Sequence, residues 1–378
     1  MTTTPTPAQT LRRTPLYRLH LELGGKMVPF AGYEMPVYYP LGILKEHIHT
    51  RAKAGLFDVS HMGQVRLSGA DASAALETLA PIDIIDLPTG MQRYALFTAE
   101  DGGILDDLMV ARLAHDELFV VVNAACKEQD IAHMKLNLAS RCQVQELTDH
   151  ALLALQGPAA AAVLARLHPG VADLKFMQIS RFDLDGVRCV ISRSGYTGED
   201  GYEISVPSAD AEALARRLLT EPEVEAIGLG ARDSLRLEAG LCLYSHDIDT
   251  DTTPIEGSLL WAISRVRRPG GARAGGYPGD AIIARQIAEG VERKRIGFIV
   301  KEKMPVREGS AITDLEGNVI GKVTSGTFGP SYGGPLGLGY VTTAHAVPGT
   351  ALFALVRGKR VAIEISLPPF VPQHYHRG

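Results

Sequence analysis

The sequence predicts an α+β chain, two ferredoxin-like units of split βαβ order followed by an all-β barrel or roll. Between residues 56 and 138, strand-like and helix-like runs alternate in a βαββαβ outline, and the order recurs more loosely between residues 151 and 219. From about residue 295 the texture changes to short alternating runs punctuated by Gly309, Gly317, Gly321, Gly326, Gly333, Gly334 and Gly349, the pattern of strands joined by tight turns. The 378 residues suffice for two or three domains, and 46% hydrophobic with 21% charged residues is ordinary globular composition.

Taken in order, Thr14-Pro15 ahead of Leu16, Leu19 and Leu21 predicts a first helix, with Thr14 as its cap, ending at Gly24-Gly25. A loop through Phe30-Ala31-Gly32-Tyr33 leads to a helix over 41–53, ended by Gly55. Residues 56–67 alternate as one strand, and a short helix follows over 70–79. Residues 94–98 and the run Gly102-Gly103-Ile104-Leu105-Asp106-Asp107-Leu108-Met109-Val110 form a hairpin around Glu100-Asp101-Gly102-Gly103, with 118–122 as its neighbour and a helix over 126–138. In the second unit, 151–155 is a strand and Gly157-Pro158 opens a helix. Strands between 181 and 206 are broken at Asp185-Gly186 and at Gly195 to Gly201, before a helix over 209–219. Pro, Gly and Arg crowd together at 268–279. The expected domains are residues 1–280, with an internal boundary near 140–150, and residues 290–378.

A formal net charge of −5 with no long basic stripe argues against nucleic-acid binding. The arginines at 265, 267, 268 and 273 form a local basic segment that could seat an acidic partner. Cys126, Cys142, Cys189 and Cys242 are widely spaced without a C-x-x-C pair, so neither a zinc site nor a disulfide framework is indicated. The polar opening MTTTPTPAQTLRR lacks the apolar stretch of a secretory signal, and no apolar run approaches the ~18 residues of a membrane span. These features point to a cytoplasmic protein, with a mitochondrial one left open.

Two adjacent acids inside an apolar strand need a reason. A period of two puts Leu105, Asp107 and Met109 on one face and Ile104, Asp106, Leu108 and Val110 on the other. Either Asp106 bonds turn amides while Asp107 meets an arginine or water, or one of them is a functional carboxylate in a partly dry site. Glu203 leaves a glycine-rich turn on the face opposite Ile204 and Val206, as a solvent-facing residue or a ligand. Arg232 and Arg236 lie four apart on one helix, a like-charge pair that costs stability unless each finds its own acid or ligand. In Asp58-Val59-Ser60-His61-Met62-Gly63, His61 and Met62 stand at a strand end, and a lone histidine there is more commonly structural than a base. Dinucleotide, P-loop and calcium-loop patterns all fail: Gly228-x-Gly230 lacks its third glycine, and Thr252 and Ser258 stand where a calcium loop needs Gly and Glu.

The sequence resembles the glycine cleavage T-protein family of aminomethyltransferases along nearly its whole length. The resemblance rests on Phe30-Ala31-Gly32-Tyr33-Glu34-Met35-Pro36, Phe57-Asp58-Val59-Ser60-His61-Met62-Gly63, the GGILDDL string, Ser194-Gly195-Tyr196-Thr197-Gly198-Glu199-Asp200-Gly201, Gly230-Ala231-Arg232-Asp233-Ser234-Leu235-Arg236 and the closing Pro369-Phe370-Val371-Pro372 with Tyr375. It implies a cloverleaf of two interleaved ferredoxin-like folate-binding subdomains and a C-terminal β-barrel. The implied reaction takes the one-carbon unit from the aminomethyl group on the lipoyl H-protein and gives it to tetrahydrofolate, with no metal, flavin, nucleic acid or membrane involved. The implied site residues are Asp107 as catalytic carboxylate, Glu203, Arg232 and Tyr375 at the substrate site, and Met62, Tyr94 and Asn123 lining the cavity. Ser245-His246 and the Arg-rich linker depart from the family pattern. Two alternatives are a folate-dependent demethylase domain, which commonly carries a flavin fingerprint absent here, and a non-enzymatic folate-binding assembly protein, which carries a Lys-Gly-Cys string also absent here.

Overall fold

The stretch that alternates from residue 56 to 67 is not one strand, and its division organises the molecule. The computed structural model describes residues 10–378; most of the polar N-terminal opening lies outside them. Ala54–Asp58 joins one sheet and Gly63–Ser68 another. Between them the Asp58 carboxylate accepts the Ser60 amide at 2.9 Å, and the Met62 amide reaches the Val59 carbonyl at 3.0 Å, closing a tight turn. Gly63 must be glycine here, since a Cβ would stand 2.6 Å from Val122 Cγ2.

The first sheet runs Gln92–Thr98, Ile104–Ala114, Glu117–Val122, Gly63–Ser68, Gln143–Glu146, with every neighbour antiparallel. Without its edge strand Gln92–Thr98 this is the ferredoxin-like order, and the helices Ala72–Leu76 and Lys127–Leu138 cover one face. Val65, Leu67, Leu76, Phe97, Val110 and Met134 fill the layer between. The second sheet runs Ile179–Leu184, Val187–Ser192, Gly201–Pro207, His150–Gln156, Ala54–Asp58, Val224–Ala226, antiparallel except for the last pair. Its helices Ala160–Ala165 and Ser208–Leu219 pack over Leu153, Leu155, Ile191, Tyr202 and Ile204. The position a fourth ferredoxin-like strand would take is filled by Ala54–Asp58, which precedes the whole first unit, so the two units interleave.

The uncovered faces of the two sheets meet through Phe57, Ala111, Phe119, Val121, Leu152 and Ala154. Six antiparallel strands close the C-terminal barrel, in the order Arg293–Val300, Gly334–Thr342, Val319–Gly329, Ala311–Thr313, Ala351–Val356, Lys359–Ser366, around Phe298, Ile312, Val323 and Ile363. The expected α+β class with a terminal β-barrel therefore holds.

Three local expectations are corrected. The first helix is Tyr17–Glu22, and Thr14 does not cap it; its hydroxyl donates to Asp58 Oδ2 at 2.6 Å, because that buried carboxylate needs donors more than the helix end does. The second helix, Ile43–Ala52, is not stopped by Gly55, which lies in a strand where a Cβ would meet Ile227 and Thr50 at 2.6 Å. The hairpin turn is held by Asp101, whose Oδ1 accepts the Gly103 amide at 3.1 Å, and not by Asp106.

Candidate active site

Where the two sheets, the 240–262 segment and the first barrel strand converge lies a cavity of about 380 Å³. That volume suits a small organic ligand. Asp107 enters it from Ile104–Ala114, while Asp106 points to the opposite, helix-covered side and is fully buried. Asn123, just past the end of Glu117–Val122, clamps both acids. Its amide N donates to Asp106 Oδ2 at 3.0 Å, and its Nδ2 reaches Asp106 Oδ1 at 3.0 Å, Asp107 Oδ1 at 3.0 Å and the Asp107 carbonyl at 2.8 Å. Burial, and then the charge of Asp106, push the Asp107 carboxyl up to about 7. Asp107 is thus poised to exchange a proton near neutrality.

Glu203 faces the cavity from Gly201–Pro207. Ser194 Oγ donates to its Oε2 at 3.1 Å, and among the described residues its Oε1 has no donor. Burial raises its pKa, against the opposing pull of Arg232. Arg232 sits one turn into Leu229–Glu238 with its guanidinium over the Tyr196 ring, 4.7 Å from the centroid, and the guanidinium makes no hydrogen bond among the described residues; burial lowers its pKa. The arginine one turn on behaves otherwise. Arg236 bonds Asp233 at 2.8 Å, Asp247 at 2.7 Å and Ser325 of the barrel at 2.9 Å, so it spends its charge joining the barrel to the α+β body. The like-charge pair is separated by these different surroundings.

Met62 lines the cavity from the turn that divides the two sheets. Tyr94, on Gln92–Thr98, lines it with its ring edge-on to Trp261 at 5.6 Å, and burial raises its phenol pKa. Six of the expected residues thus share one cavity: Met62, Tyr94, Asp107, Asn123, Glu203 and Arg232. Tyr375 does not join them. It stacks on Phe176 at 4.1 Å and lines a surface groove with Arg51, Glu199 and His374.

Other lining residues were not singled out as site residues in the sequence. His61 is 4% exposed, packs edge-on against Phe30, and is pushed down to about 4 by burial, so it stands in the wall as a neutral imidazole. Arg295 reaches the cavity from Arg293–Val300, anchored by Nε to the Gly257 carbonyl at 2.8 Å. A sequence signal for it existed: Ile296, Phe298 and Val300 fill the barrel, so alternation sends Arg295 outward toward the α+β body. Trp261, the only tryptophan, stands 60% exposed at the rim.

The basic segment at 265–273 is not the free docking patch its composition suggests. Arg267 bonds Glu77 at 2.9 Å, and Arg273 bonds Asp83 at 2.6 Å and Asp86 at 2.8 Å. Arg268 bonds the carbonyls of Ile263 and Leu260 at 2.8 and 2.7 Å. Unsatisfied acids and carbonyls of the first unit and the linker have drawn these side chains inward, and of the four only Arg265 is exposed without such a bond among the described residues.

Comparison with known proteins agrees with this fold. Residues 16–267 match the family described as GCVT N-terminal domain, and residues 293–372 match the glycine cleavage T-protein C-terminal barrel domain. The human mitochondrial aminomethyltransferase is 47% identical over 97% of this chain and 92% of its own length, and that of Dictyostelium discoideum is 45% identical over 97% and 94%. The crystal structure of the glycine cleavage system aminomethyltransferase T from Bartonella henselae superposes with a TM-score of 0.91 at 46% identity, over 97% of this chain and 99% of that one. The expected cytoplasmic location is corrected by these findings: the relatives from Dictyostelium, human and mouse are named mitochondrial aminomethyltransferases, and that from fission yeast a probable aminomethyltransferase, also mitochondrial.

Proposed function

The chain belongs to the glycine cleavage T-protein family, and on that premise we infer its function: it is an aminomethyltransferase that passes a one-carbon unit to tetrahydrofolate. The similarity runs through both α+β units and the barrel, which disfavours a demethylase domain or a non-enzymatic assembly protein. In this reading the aminomethyl group arrives on the lipoyl arm of an H-protein, and ammonia, 5,10-methylene-tetrahydrofolate and the reduced carrier leave. The domain limits we propose are residues 1–280 for the α+β region and 290–378 for the barrel.

The residues fit such a substrate. A reduced pterin offers an N–H and an exocyclic amine side by side, and Glu203, held at one oxygen by Ser194, keeps its Oε1 open to accept them. Arg232, which has no ion-pair partner among the described residues and is shielded by Tyr196, offers a donor for a polar or anionic group of the same ligand. Met62, Tyr94 and Trp261 supply apolar and aromatic wall, while Tyr375 lies beyond it and would act only at the periphery.

Asp107 carries the chemistry in this proposal. Cleaving the carbon–sulfur bond of the aminomethyl carrier develops positive charge on the transferred carbon and its nitrogen. A fixed carboxylate in a half-buried cleft stabilises that charge better than solvent does. Its raised pKa also suits it to hold a proton and release it near neutral pH. Asn123 fixes the carboxylate's orientation, and neutral His61 adds no competing positive charge. The observation that carries the proposal is the single cavity-facing member of the acid pair, clamped by Asn123. The test is ammonia and 5,10-methylene-tetrahydrofolate production from aminomethylated H-protein, with and without tetrahydrofolate. Product formation independent of tetrahydrofolate, or none with it, would overturn the reading.

A further inference from the structure

Behind Asp107, on the side away from the cavity, a second carboxyl pair has no part in the mechanism so far. Asp106 is 0% exposed and Asp130, from Lys127–Leu138, is 1% exposed. Asp106 accepts the amide N and Nδ2 of Asn123, and the Asp130 carboxyl and the Cys126 thiol stand beside it. An ionised carboxylate has roughly four acceptor sites, and Asn123 fills two of them. The neighbouring Asp130 carboxyl can serve another only if it carries a proton. Both oxygens of Asp130 are buried and have no N–H or hydroxyl partner among the described residues, so an ionised Asp130 would be an unpaired charge against another anion.

We propose that Asp130 is a positioning residue of this site, a neutral carboxylic acid that donates its proton to ionised Asp106 and so holds Asn123, and through it Asp107, in the observed arrangement. The inference rests on Asp107 being the reacting-site carboxylate. The groups facing the pair are Asp107 on the same strand as Asp106, the Cys126 thiol one helical turn before Asp130, and the Tyr244 phenol, whose O–H is spent on the Ile104 carbonyl at 3.1 Å. His133, on the next turn of the helix, packs edge-on against Phe97, and among the described residues no lysine, arginine or histidine pairs with either acid. One negative charge shared by the pair keeps Asp106 fixed under Asn123. A second would repel both Asp106 and Asp107 and loosen the clamp.

The decisive variants are Asp130→Asn and Asp130→Ala. The amide of Asp130→Asn still donates to Asp106 and is uncharged, so single-turnover transfer should stay within about twofold of the parent and its pH midpoint within about half a unit. Asp130→Ala removes the donor, and transfer should fall by about tenfold or more while tetrahydrofolate affinity, measured by calorimetry, is unchanged. Infrared spectra of the parent at pH 8 should contain a buried carboxylic-acid carbonyl stretch that disappears in Asp130→Asn. This band reports the proton on Asp130 whatever Asp107 does, so its absence would refute the inference and leave the reading of Asp107 standing. A pH midpoint displaced to lower values in Asp130→Asn would show that an ionised Asp130 had been lost, and would overturn the proposal even if Asp130→Ala fails to fold.

Discussion

Replacing Asp107 by Asn tests the proposed chemistry most directly, because the two side chains differ little in shape and greatly in charge. In the fold, Asp107 Oδ1 accepts Asn123 Nδ2 at 3.0 Å, and the amide oxygen of the variant can accept the same bond. The clamp therefore survives, and so should folate binding, which falls to Glu203 and Arg232 in this reading. What disappears is the charge facing the developing cation. Loss of one preorganised electrostatic partner typically costs about 10²- to 10³-fold in rate, or ~2.7 to 4 kcal/mol. Single-turnover transfer from aminomethylated H-protein should fall by that factor, with calorimetric tetrahydrofolate affinity retained. Stability should move the other way. The Asp107 pKa is raised in the fold to about 7, so its contribution to stability is present below the carboxylate range of the unfolded chain and is lost as pH rises through about 7. Asp107→Asn removes that loss, so the variant should melt higher than the parent at pH 8 and lose stability less steeply between pH 4 and pH 8. Near-normal transfer, or a lower melting temperature at pH 8, would refute the assignment.

Three further outcomes follow from individual contacts. Glu203→Gln keeps one acceptor and loses the charge, so tetrahydrofolate affinity should weaken by about 1.5 to 3 kcal/mol, the scale of a charged hydrogen bond, with calorimetric titration as the measurement. Arg267→Ala leaves Glu77, 2% exposed, with Arg273 at 3.2 Å as its remaining charged partner and should cost about 1.5 to 3 kcal/mol in urea unfolding, the scale of a charged hydrogen bond, while carrier binding by the folded variant is unchanged. For Asp58, burial alone would raise the pKa, but bonds from His20, Ser60 and Thr14 outweigh it and hold the carboxyl at about 2. That stability is present above the unfolded carboxylate pKa and lost as pH falls through about 2. Asp58→Asn should therefore cost about 2 to 3 kcal/mol at pH 7 and show a shallower loss of stability between pH 4 and pH 2 in denaturant titrations.

What could be read from the sequence was mainly what is encoded locally. The hairpin around Asp101, the turn at Asp185-Gly186 and the helix ending at Leu138 are set by turn residues and periodicity within a few positions, and the strands Ile104–Ala114 and Val187–Ser192 fall where those signals put them. Alternation along Ile104–Ala114 also gave the opposite facing of the two acids, because a period of two is a property of the strand alone. Residues 56–67 failed for a physical reason. Alternation measures which side of a ribbon is apolar, and two strands in different sheets, each with one side on a core, can keep the same alternation across the turn between them. The Asp58 bond to the Ser60 amide and the Met62 amide bond to the Val59 carbonyl break the ribbon, and a lone Asp-x-Ser is too common to announce it.

The site depends on that break. Because Ala54–Asp58 completes the second sheet and Gly63–Ser68 starts the pairing of the first, the turn at His61 and Met62 lies on the seam where the two bare faces meet. Asp107 from one sheet and Glu203 from the other can then reach the same cavity. The charges left over follow from the same seam. Arg232 and Arg236 carry equal sequence signals, but one turn of helix swings Arg236 to Asp247 and Ser325 of the barrel junction and leaves Arg232 over Tyr196 at the cavity wall. The arginines at 265–273 read as a patch only while Glu77, Asp83 and Asp86, nearly 190 residues away, are not known to face them. A charge in a sequence advertises affinity for some partner. Whether that partner is a ligand, a carrier or another part of the chain is decided by long-range contacts that local spacing does not encode, and Tyr375, at home against Phe176 outside the cavity, is the same case for an aromatic ring.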